Sequence, residues 1–286
     1  MKTLLVPTDF SPISRNALAY AVGLAEKLGA KIVLLHAYHT FPIDIDPGLL
    51  VKEYREEVEL FKKVSDIQLK ALCEEIENTS TCKCDAISLQ GLAKDVIVEY
   101  ANDTNPDLLV IGTENLLPME RIIYGTITGR VIKDVDCTLL VIPERAKYTT
   151  PKKIAFAIDY HDSDLDEIQF VEQLAKKFKS ETHIVHVISD EEDEDFEDYY
   201  FTKTKTEIKK FVSKNHTIFK LIKGKNITSE LKKYITDEHI DIFSVAKTKK
   251  TFLERLFSGS VSQKLFYRTN IPLLIFEAKD TPKDLI

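Results

Sequence analysis

The sequence lacks any apolar run that approaches the ~20 residues needed to cross a lipid bilayer. Its first residues, Met1 to Asp9, turn polar too early for a secretory signal peptide. Basic residues are too few to balance the acidic ones, and the resulting net charge of −7 argues against nucleic acid, which is bound through basic patches. We therefore expect a cytoplasmic chain with no membrane and no nucleic-acid partner.

Cysteine is scarce, and Cys73, Cys82, Cys84 and Cys137 all lie in the first half of the chain. In a cytoplasmic protein we expect these residues to be reduced thiols. The pair Cys82 and Cys84 could contribute to a metal or redox site, but no Cys/His cluster with zinc spacing accompanies it. Ordinary strand-edge residues are the favoured interpretation, and we predict no metal site.

What the sequence does contain is a stretch in which two short apolar runs flank a helical pattern. The first run is residues 108–111, followed directly by Gly112, and the second is residues 139–142. Gly125 and Thr126 open the helix between the two runs. Such runs are typical of buried parallel strands. Glycine at a strand end lets backbone approach a ligand, and a helix start offers unpaired N–H groups to a phosphate.

The same layout returns in the second half of the chain. Ala246 stands 134 residues after Gly112, and Asp159 stands 150 residues after Asp9. This tandem repeat predicts two domains of the usual size. The predicted domains are residues 1–147 and 148–286.

Each half alternates apolar strands with amphipathic helices, which specifies an α/β fold with a parallel sheet covered on both faces. In the first half Ser11 and Pro12 are a good helix start, and Gly29 ends that helix. In the second half the acidic residues 190–198 predict a solvated loop, because like charges resist packing; the alternative is a site for a specific cation or a basic partner. The strands predicted in the first half are residues 4–9, 32–37, 85–89, 108–111 and 139–142.

Ligands of open α/β sheets bind beyond the carboxyl ends of the strands, where Asp9, Ala37 and Gly112 are expected. We hypothesise an adenine nucleotide there, with Asp9 accepting hydrogen bonds from the nucleoside and Ala37 contacting the base through its backbone. Gly112 would let the ribose-phosphate approach, and Gly125 and Thr126 would meet phosphate oxygens. The alternative is that the glycines only close turns and Asp9 caps the following helix; the spacing alone leaves both open.

The chain resembles the universal stress protein family over essentially its whole length, as two family domains. The resemblance rests on Val6-Pro7-Thr8-Asp9-Phe10-Ser11, on Leu34-Leu35-His36-Ala37, and on residues 110–143. It implies two doubly wound, five-stranded, mainly parallel sheets of the adenine nucleotide alpha hydrolase-like type. These would pack as an intrachain pseudo-dimer in which the last strands, 139–142 and 273–276, meet.

One branch of this family binds ATP through Gly, two residues, Gly, nine residues, Gly and Ser or Thr. Here those positions hold Gly112, Asn115, Gly125 and Thr126, and asparagine tolerates the left-handed backbone that glycine allows. The resemblance thus implies ATP or ADP as cofactor, with or without Mg2+. The binding residues that it implies are Pro7, Thr8, Asp9, Ala37, Ile111, Gly112, Asn115, Gly125, Thr126, Ile127 and Thr128.

The second copy departs further from the motif, with Ala246, Lys249, Gly259 and Ser260 in the matching places. Its loop is basic and could attract an anion, but solvated lysines on an architectural domain are the favoured interpretation. We therefore expect the first half of the chain to bind nucleotide in preference to the second half.

No triad, Walker lysine loop or metal-ligand cluster is recognisable, and we predict no catalytic residue. The matching His36 and His186 are interpreted as packed, hydrogen-bonded side chains. Arg121 is a weak candidate for stabilising transferring charge, so the chain would be at most a slow ATPase. The favoured function is stress-response nucleotide binding that alters contacts with an unknown protein partner. The alternative is a nucleotide-free interaction scaffold, and a homodimer is left open.

Overall fold

The computed structural model describes residues 2–39, 51–114, 127–158, 164–188, 194–212, 216–247 and 270–277. In the first half, strands and helices alternate as predicted. The strands are β1 (Thr3–Pro7), β2 (Lys31–Tyr38), β3 (Cys84–Gln90), β4 (Leu108–Thr113) and β5 (Leu139–Pro143). The helices are α1 (Pro12–Leu28), α2 (Val51–Thr79), α3 (Ala93–Thr104) and α4 (Ile127–Asp134).

The second half repeats this order. Its strands are β6 (Lys153–Ala157), β7 (Glu181–Ile188), β8 (Thr217–Lys223), β9 (Ile242–Lys247) and β10 (Leu273–Glu277). Its described helices are α5 (Asp164–Phe178), α6 (Glu194–Ile208) and α7 (Ile227–Asp237). The predicted loop at residues 190–198 is therefore wrong from Glu194 onward. Helix α6 buries Phe201 and Ile208, and this apolar packing outweighs the repulsion between the acidic residues that open the helix.

The ten described strands join one sheet in the order β3-β2-β1-β4-β5-β10-β9-β6-β7-β8. Neighbouring strands are parallel except β5 and β10, which pair antiparallel with Leu140 opposite Leu274. The predicted approach of the two last strands is confirmed, because each supplies the apolar edge that the other covers. The two halves thus form an intrachain pseudo-dimer, and the predicted boundary at 147/148, which stays a prediction, falls in the segment joining β5 to β6.

The helices cover both faces of the sheet, as a doubly wound fold requires. One apolar core lies under α1, α2, α5 and α6, and the other lies under α3, α4 and α7. Each core contains residues from both halves, such as Leu4 with Phe156 on one face and Leu109 with Phe243 on the other. The pseudo-dimer is therefore held by continuous packing as well as by the β5–β10 ladder.

Helix α1 follows its sequence signals closely. The Ser11 side chain caps the helix by accepting the N–H of Ser14, Pro12 occupies the first turn, and Gly29 ends the helix with a left-handed φ of 65°. Only glycine adopts that conformation without steric cost. Because α1 begins directly after β1, these caps fix where the helix start meets the carboxyl end of the sheet.

The expectation of four reduced cysteines is wrong for two of them. A disulfide joins Cys73 of α2 to Cys84 at the start of β3, with their Cα atoms 5.2 Å apart, a separation that suits the bond. Packing of α2 against β3 brings the two residues together. Cys82 and Cys137 are buried and take no part in this disulfide.

Candidate functional site

A cleft of about 250 Å3 opens at the carboxyl ends of β1, β2 and β4, beside the starts of α1 and α4. Parallel strands end at a common edge, and this is where the ligands of doubly wound folds bind. The cleft gathers eight of the eleven residues predicted from the sequence, which are Pro7, Thr8, Asp9, Ala37, Ile111, Gly112, Ile127 and Thr128. The other three, Asn115, Gly125 and Thr126, lie outside the described residues.

The turn from β1 into α1 is held by short hydrogen bonds. The Thr8 hydroxyl accepts the Phe10 N–H at 3.0 Å and lies 3.2 Å from the Ser14 hydroxyl. Asp9 Oδ1 accepts the Ser11 N–H at 3.0 Å. Phe10 takes a left-handed φ of 63°, which is uncommon outside glycine. The alternative interpretation, in which Asp9 caps the following helix, thus holds in part, since the Asp9 carboxylate supports the helix start.

Partial burial raises the pKa of the Asp9 carboxyl, but hydrogen bonds from Ser11 and Ser14 outweigh the burial. The pKa of Asp9 therefore lies below its ordinary value. At neutral pH the group is a carboxylate, which accepts hydrogen bonds and donates none. Asp9 can accordingly recognise hydroxyl or amino groups of a ligand and would repel a phosphate.

Gly112 is where β4 and the two helix starts come together. Any Cβ at Gly112 would collide with Ile13 in the first turn of α1, so the missing side chain serves the packing of the chain itself. The Gly112 carbonyl accepts a 3.0 Å hydrogen bond from the Thr128 hydroxyl. This bond ties the first turn of α4 to the end of β4.

His36 also lines the cleft, although its sequence position indicated only a packed residue. Its Nδ1 donates to the Thr8 carbonyl at 2.7 Å, and its ring lies 4.6 Å from the Phe10 ring. Because a carbonyl can only accept, Nδ1 carries the proton and a neutral ring keeps Nε2 as an acceptor. His186 makes the equivalent 2.9 Å bond to the Ile158 carbonyl, so both histidines are hydrogen-bonded as expected.

Sequence reasoning missed further residues that line the cleft. Ile13 and Ser14 lie on α1 and Ile97 lies on α3, so these three positions carry no strand-end signal. Glu114 directly follows β4. Among the described lining residues, Asp9 and Glu114 supply carboxylates and no lysine or arginine is present. These walls suit neutral polar groups and apolar rings better than anions.

Two segments of the sequence, residues 1–143 and 150–277, match the profile of the universal stress protein family. The chain belongs to the universal stress protein family. A universal stress protein of Methanocaldococcus jannaschii is 31% identical over 149 residues, which are 51% of this chain and 84% of that protein. One from Thermus aquaticus is 26% identical over 141 residues, which are 49% of this chain and 98% of that protein.

The crystal structure of a universal stress protein from Archaeoglobus fulgidus matches the whole pseudo-dimer. Its TM-score is 0.73, and the match covers 97% of each chain at 17% identity. At this identity the likeness shows the shared fold. The two-half architecture thus recurs in another universal stress protein.

The second half of this universal stress protein carries Ala246, which is buried in β9, where the first half carries Gly112. Because Ala246 carries a methyl group, the fold of the second half forms without a glycine at this strand end. The remaining motif positions of the second half, Asp159, Lys249, Gly259 and Ser260, lie outside the described residues.

Two further observations concern ligands and membranes. In the described ranges, no three His, Cys, Asp or Glu side chains come together in a way that could hold a metal ion. Likewise, none of the described helices is both long and apolar enough to cross a bilayer.

Proposed function

We propose that this universal stress protein binds an adenine nucleotide, ATP or ADP, in the cleft of its first half. Nucleotide bound in this cleft would alter the contacts that the protein makes with a partner protein during a cytoplasmic stress response. The observation that carries the proposal is the gathering of eight motif-derived residues around one cleft at the carboxyl edge of the sheet. Their convergence is what a shared ligand requires.

The described walls suit the nucleoside end of such a ligand. The Asp9 carboxylate accepts hydrogen bonds from ribose hydroxyls, and the Ala37 backbone contacts the base. Ile97 and Ile111 offer apolar surface to the purine ring. The base and ribose would therefore lie across the ends of β1, β2 and β4.

The phosphates are assigned to the start of α4. The Thr128 hydroxyl already donates to Gly112, so the contribution of Ile127 and Thr128 would come from backbone N–H groups at the helix start. Negative charge at Asp9 and Glu114 opposes phosphate binding. We therefore expect Mg2+ to strengthen the binding of ATP more than that of ADP, since the cation offsets the additional phosphate charge.

Titration calorimetry of the full chain tests the proposal. ADP or ATP should bind with one nucleotide per chain. Asp9→Asn should weaken binding roughly ten- to hundred-fold, because a hydrogen bond to a charged group contributes ~1.5–3 kcal/mol. The matched control Asp159→Asn, at the equivalent position of the second half, should leave the affinity unchanged. Absence of heat with every adenine nucleotide would overturn the proposal.

A nucleotide-free interaction scaffold is the second candidate, and two contacts favour it. Ile13 leaves no room for a side chain at position 112, and the Asp9 carboxylate supports the helix start by accepting the Ser11 N–H. Gly112 and Asp9 therefore both have a structural role without any ligand. Mass spectrometry of the natively purified protein separates the candidates. Retained nucleotide in the wild type that is lost in Asp9→Asn supports binding, whereas a nucleotide-free chain with the same partner contacts in both proteins supports the scaffold.

A further inference from the structure

A second cavity, also about 250 Å3, lies at the opposite edge of the first-half sheet, where β1 and β2 begin and α3 ends. Its apolar walls include Leu5 and Val33, and its polar walls include Lys31, Tyr100 and Thr104. No residue that the structure describes lines both this cavity and the cleft at the carboxyl edge. It is therefore a separate candidate site.

Matching hydrogen bonds align this region with the second half. Asp107 Oδ2 accepts the N–H groups of Lys2 and Thr3, both at 2.9 Å. Asp241 Oδ2 accepts those of Lys152 and Lys153, at 2.7 and 2.9 Å. The ends of α3 and α7 are therefore equivalent, with an offset of 134 residues.

Strand register completes the alignment. Leu5 pairs with Val33 in the first half, and Ala155 pairs with His183 in the second. Val33 and His183 are thus equivalent, as are Tyr100 and Tyr234.

In the second half, a ring of the chain itself occupies the position beside this tyrosine. His183 is fully buried, and its Nδ1 lies 2.7 Å from the Tyr234 hydroxyl. The two rings meet edge to face with centroids 5.9 Å apart. In the first half the shorter Val33 side chain stands where His183 would be, and Val33 and Tyr100 both line the cavity. The second half therefore shows what shape and hydrogen bond the cavity of the first half can accept.

The charge at the far edge of the ring is reversed between the halves. His183 Nε2 lies 3.7 Å from the Glu181 carboxylate. The equivalent residue of the first half is Lys31, whose Nζ lies 2.6 Å from Asp85 Oδ2. A ring in the first-half cavity would thus meet the Lys31 ammonium where the second half holds the Glu181 carboxylate, and an anionic substituent on the ring would share that ammonium with Asp85. The carboxylate that lines the cavity, Asp107, is engaged by the N–H groups of Lys2 and Thr3.

From this correspondence we infer that the first-half cavity binds a small planar nitrogen heterocycle that carries a carboxylate. A ring nitrogen accepts a hydrogen bond from the Tyr100 hydroxyl, and the carboxylate contacts Lys31. Val33 and Leu5 supply the apolar contact for the ring. The site is independent of adenine nucleotide binding at the opposite edge of the sheet.

The test uses imidazole-4-carboxylate as the probe and the full chain with ring-labelled tyrosine, observed by NMR. Tyr100→Phe assigns the Tyr100 signal among the 11 tyrosines. The wild type should show a saturable shift of this signal. Lys31→Gln should weaken binding about ten-fold or more, since a charged hydrogen bond is lost. Val33→His should abolish the shift, because it places in the cavity the same ring that the second half holds.

The reciprocal variant His183→Val supplies a matched comparison. It vacates the ring position beside Tyr234, where Glu181 disfavours an anion, so it should bind neutral imidazole in preference to imidazole-4-carboxylate. If this variant does not fold, the wild type and Val33→His still decide the matter. No saturable shift in the wild type, or a shift that persists in Val33→His, would overturn the inference.

Discussion

Gly112 and Ile13 are in contact so close that a Cβ on Gly112 would lie 2.7 Å from Ile13 Cγ2 and 2.8 Å from the Ile13 carbonyl oxygen. Real Cβ atoms do not approach other atoms this closely, and the carbonyl belongs to the backbone of α1, which cannot turn aside. The motif glycine of this chain therefore joins β4 to α1 whether or not a ligand is bound. Loss of nucleotide binding in a Gly112 variant would not by itself identify a ligand contact.

Gly112→Ala should lower the free energy of unfolding by about 1–3 kcal/mol, the usual cost of overpacking. Urea unfolding measures the effect. Adding Ile13→Ala to Gly112→Ala removes the Cγ2 contact but leaves the carbonyl contact, so the double variant should recover only part of the overpacking cost after correction for Ile13→Ala alone. Full stability in Gly112→Ala would show that α1 can shift freely.

A second close contact joins the segment between the halves to α1. The Tyr148 ring lies directly against Gly23. The rings of Tyr148 and Tyr20 meet edge to face, with their centroids 5.2 Å apart. Gly23→Ala should therefore destabilise the wild type by forcing Tyr148 away. In a Tyr148→Ala background the same change should stabilise the chain by up to about 1 kcal/mol, because alanine favours a helix over glycine. The sign reversal, read from melting temperatures, is the test; the same sign in both backgrounds would contradict it.

Much of this fold could be predicted because its signals are local. Ser11, Pro12 and Gly29 mark the ends of α1 through their own capping and backbone preferences. Short apolar runs mark the strands. The predicted residues line one cleft because they lie at or near the carboxyl ends of neighbouring parallel strands. The pairing of β5 with β10 was implied by the family resemblance and is consistent with two apolar edges that need cover.

What could not be predicted depends on contacts between distant elements. Cys73 and Cys84 gave no pairing signal, because the contact of α2 with β3 decides their distance. Ile13 gave no site signal, because its role arises only when α1 meets β4. The acidic start of α6 reads as a loop by charge alone, and the burial of Phe201 becomes visible only in the assembled sheet.

The disulfide between Cys73 and Cys84 should stabilise the oxidised chain. It closes a loop with a sequence separation of 11, for which the chain-entropy account gives about 3 kcal/mol. A reductant should lower the melting temperature of the wild type, whereas it should not affect the double variant Cys73→Ser, Cys84→Ser. An equal response of both proteins to the reductant would show that the bond contributes nothing.

His183 should make the second half sensitive to acid. Burial lowers the pKa of His183 and Lys153 lowers it further, while Glu238 and Glu181 oppose them. Tyr234, whose pKa is raised to about 12 by burial, stays a neutral hydroxyl beside the ring throughout this range. His183 is thus neutral in the folded chain at pH values where it would already be protonated in the unfolded chain.

The sign of the pH effect follows from proton binding. Just below the ordinary histidine value of 6.5, the unfolded chain binds a proton at residue 183 more readily than the folded chain does. Stability due to His183 is therefore full above pH 6.5 and is lost as the pH falls toward the lower folded pKa. Melting temperatures between pH 7.5 and 5 should drop less in His183→Gln than in the wild type. The exposed His216→Gln serves as the control, and an identical pH profile in all three proteins would rule out this role for His183.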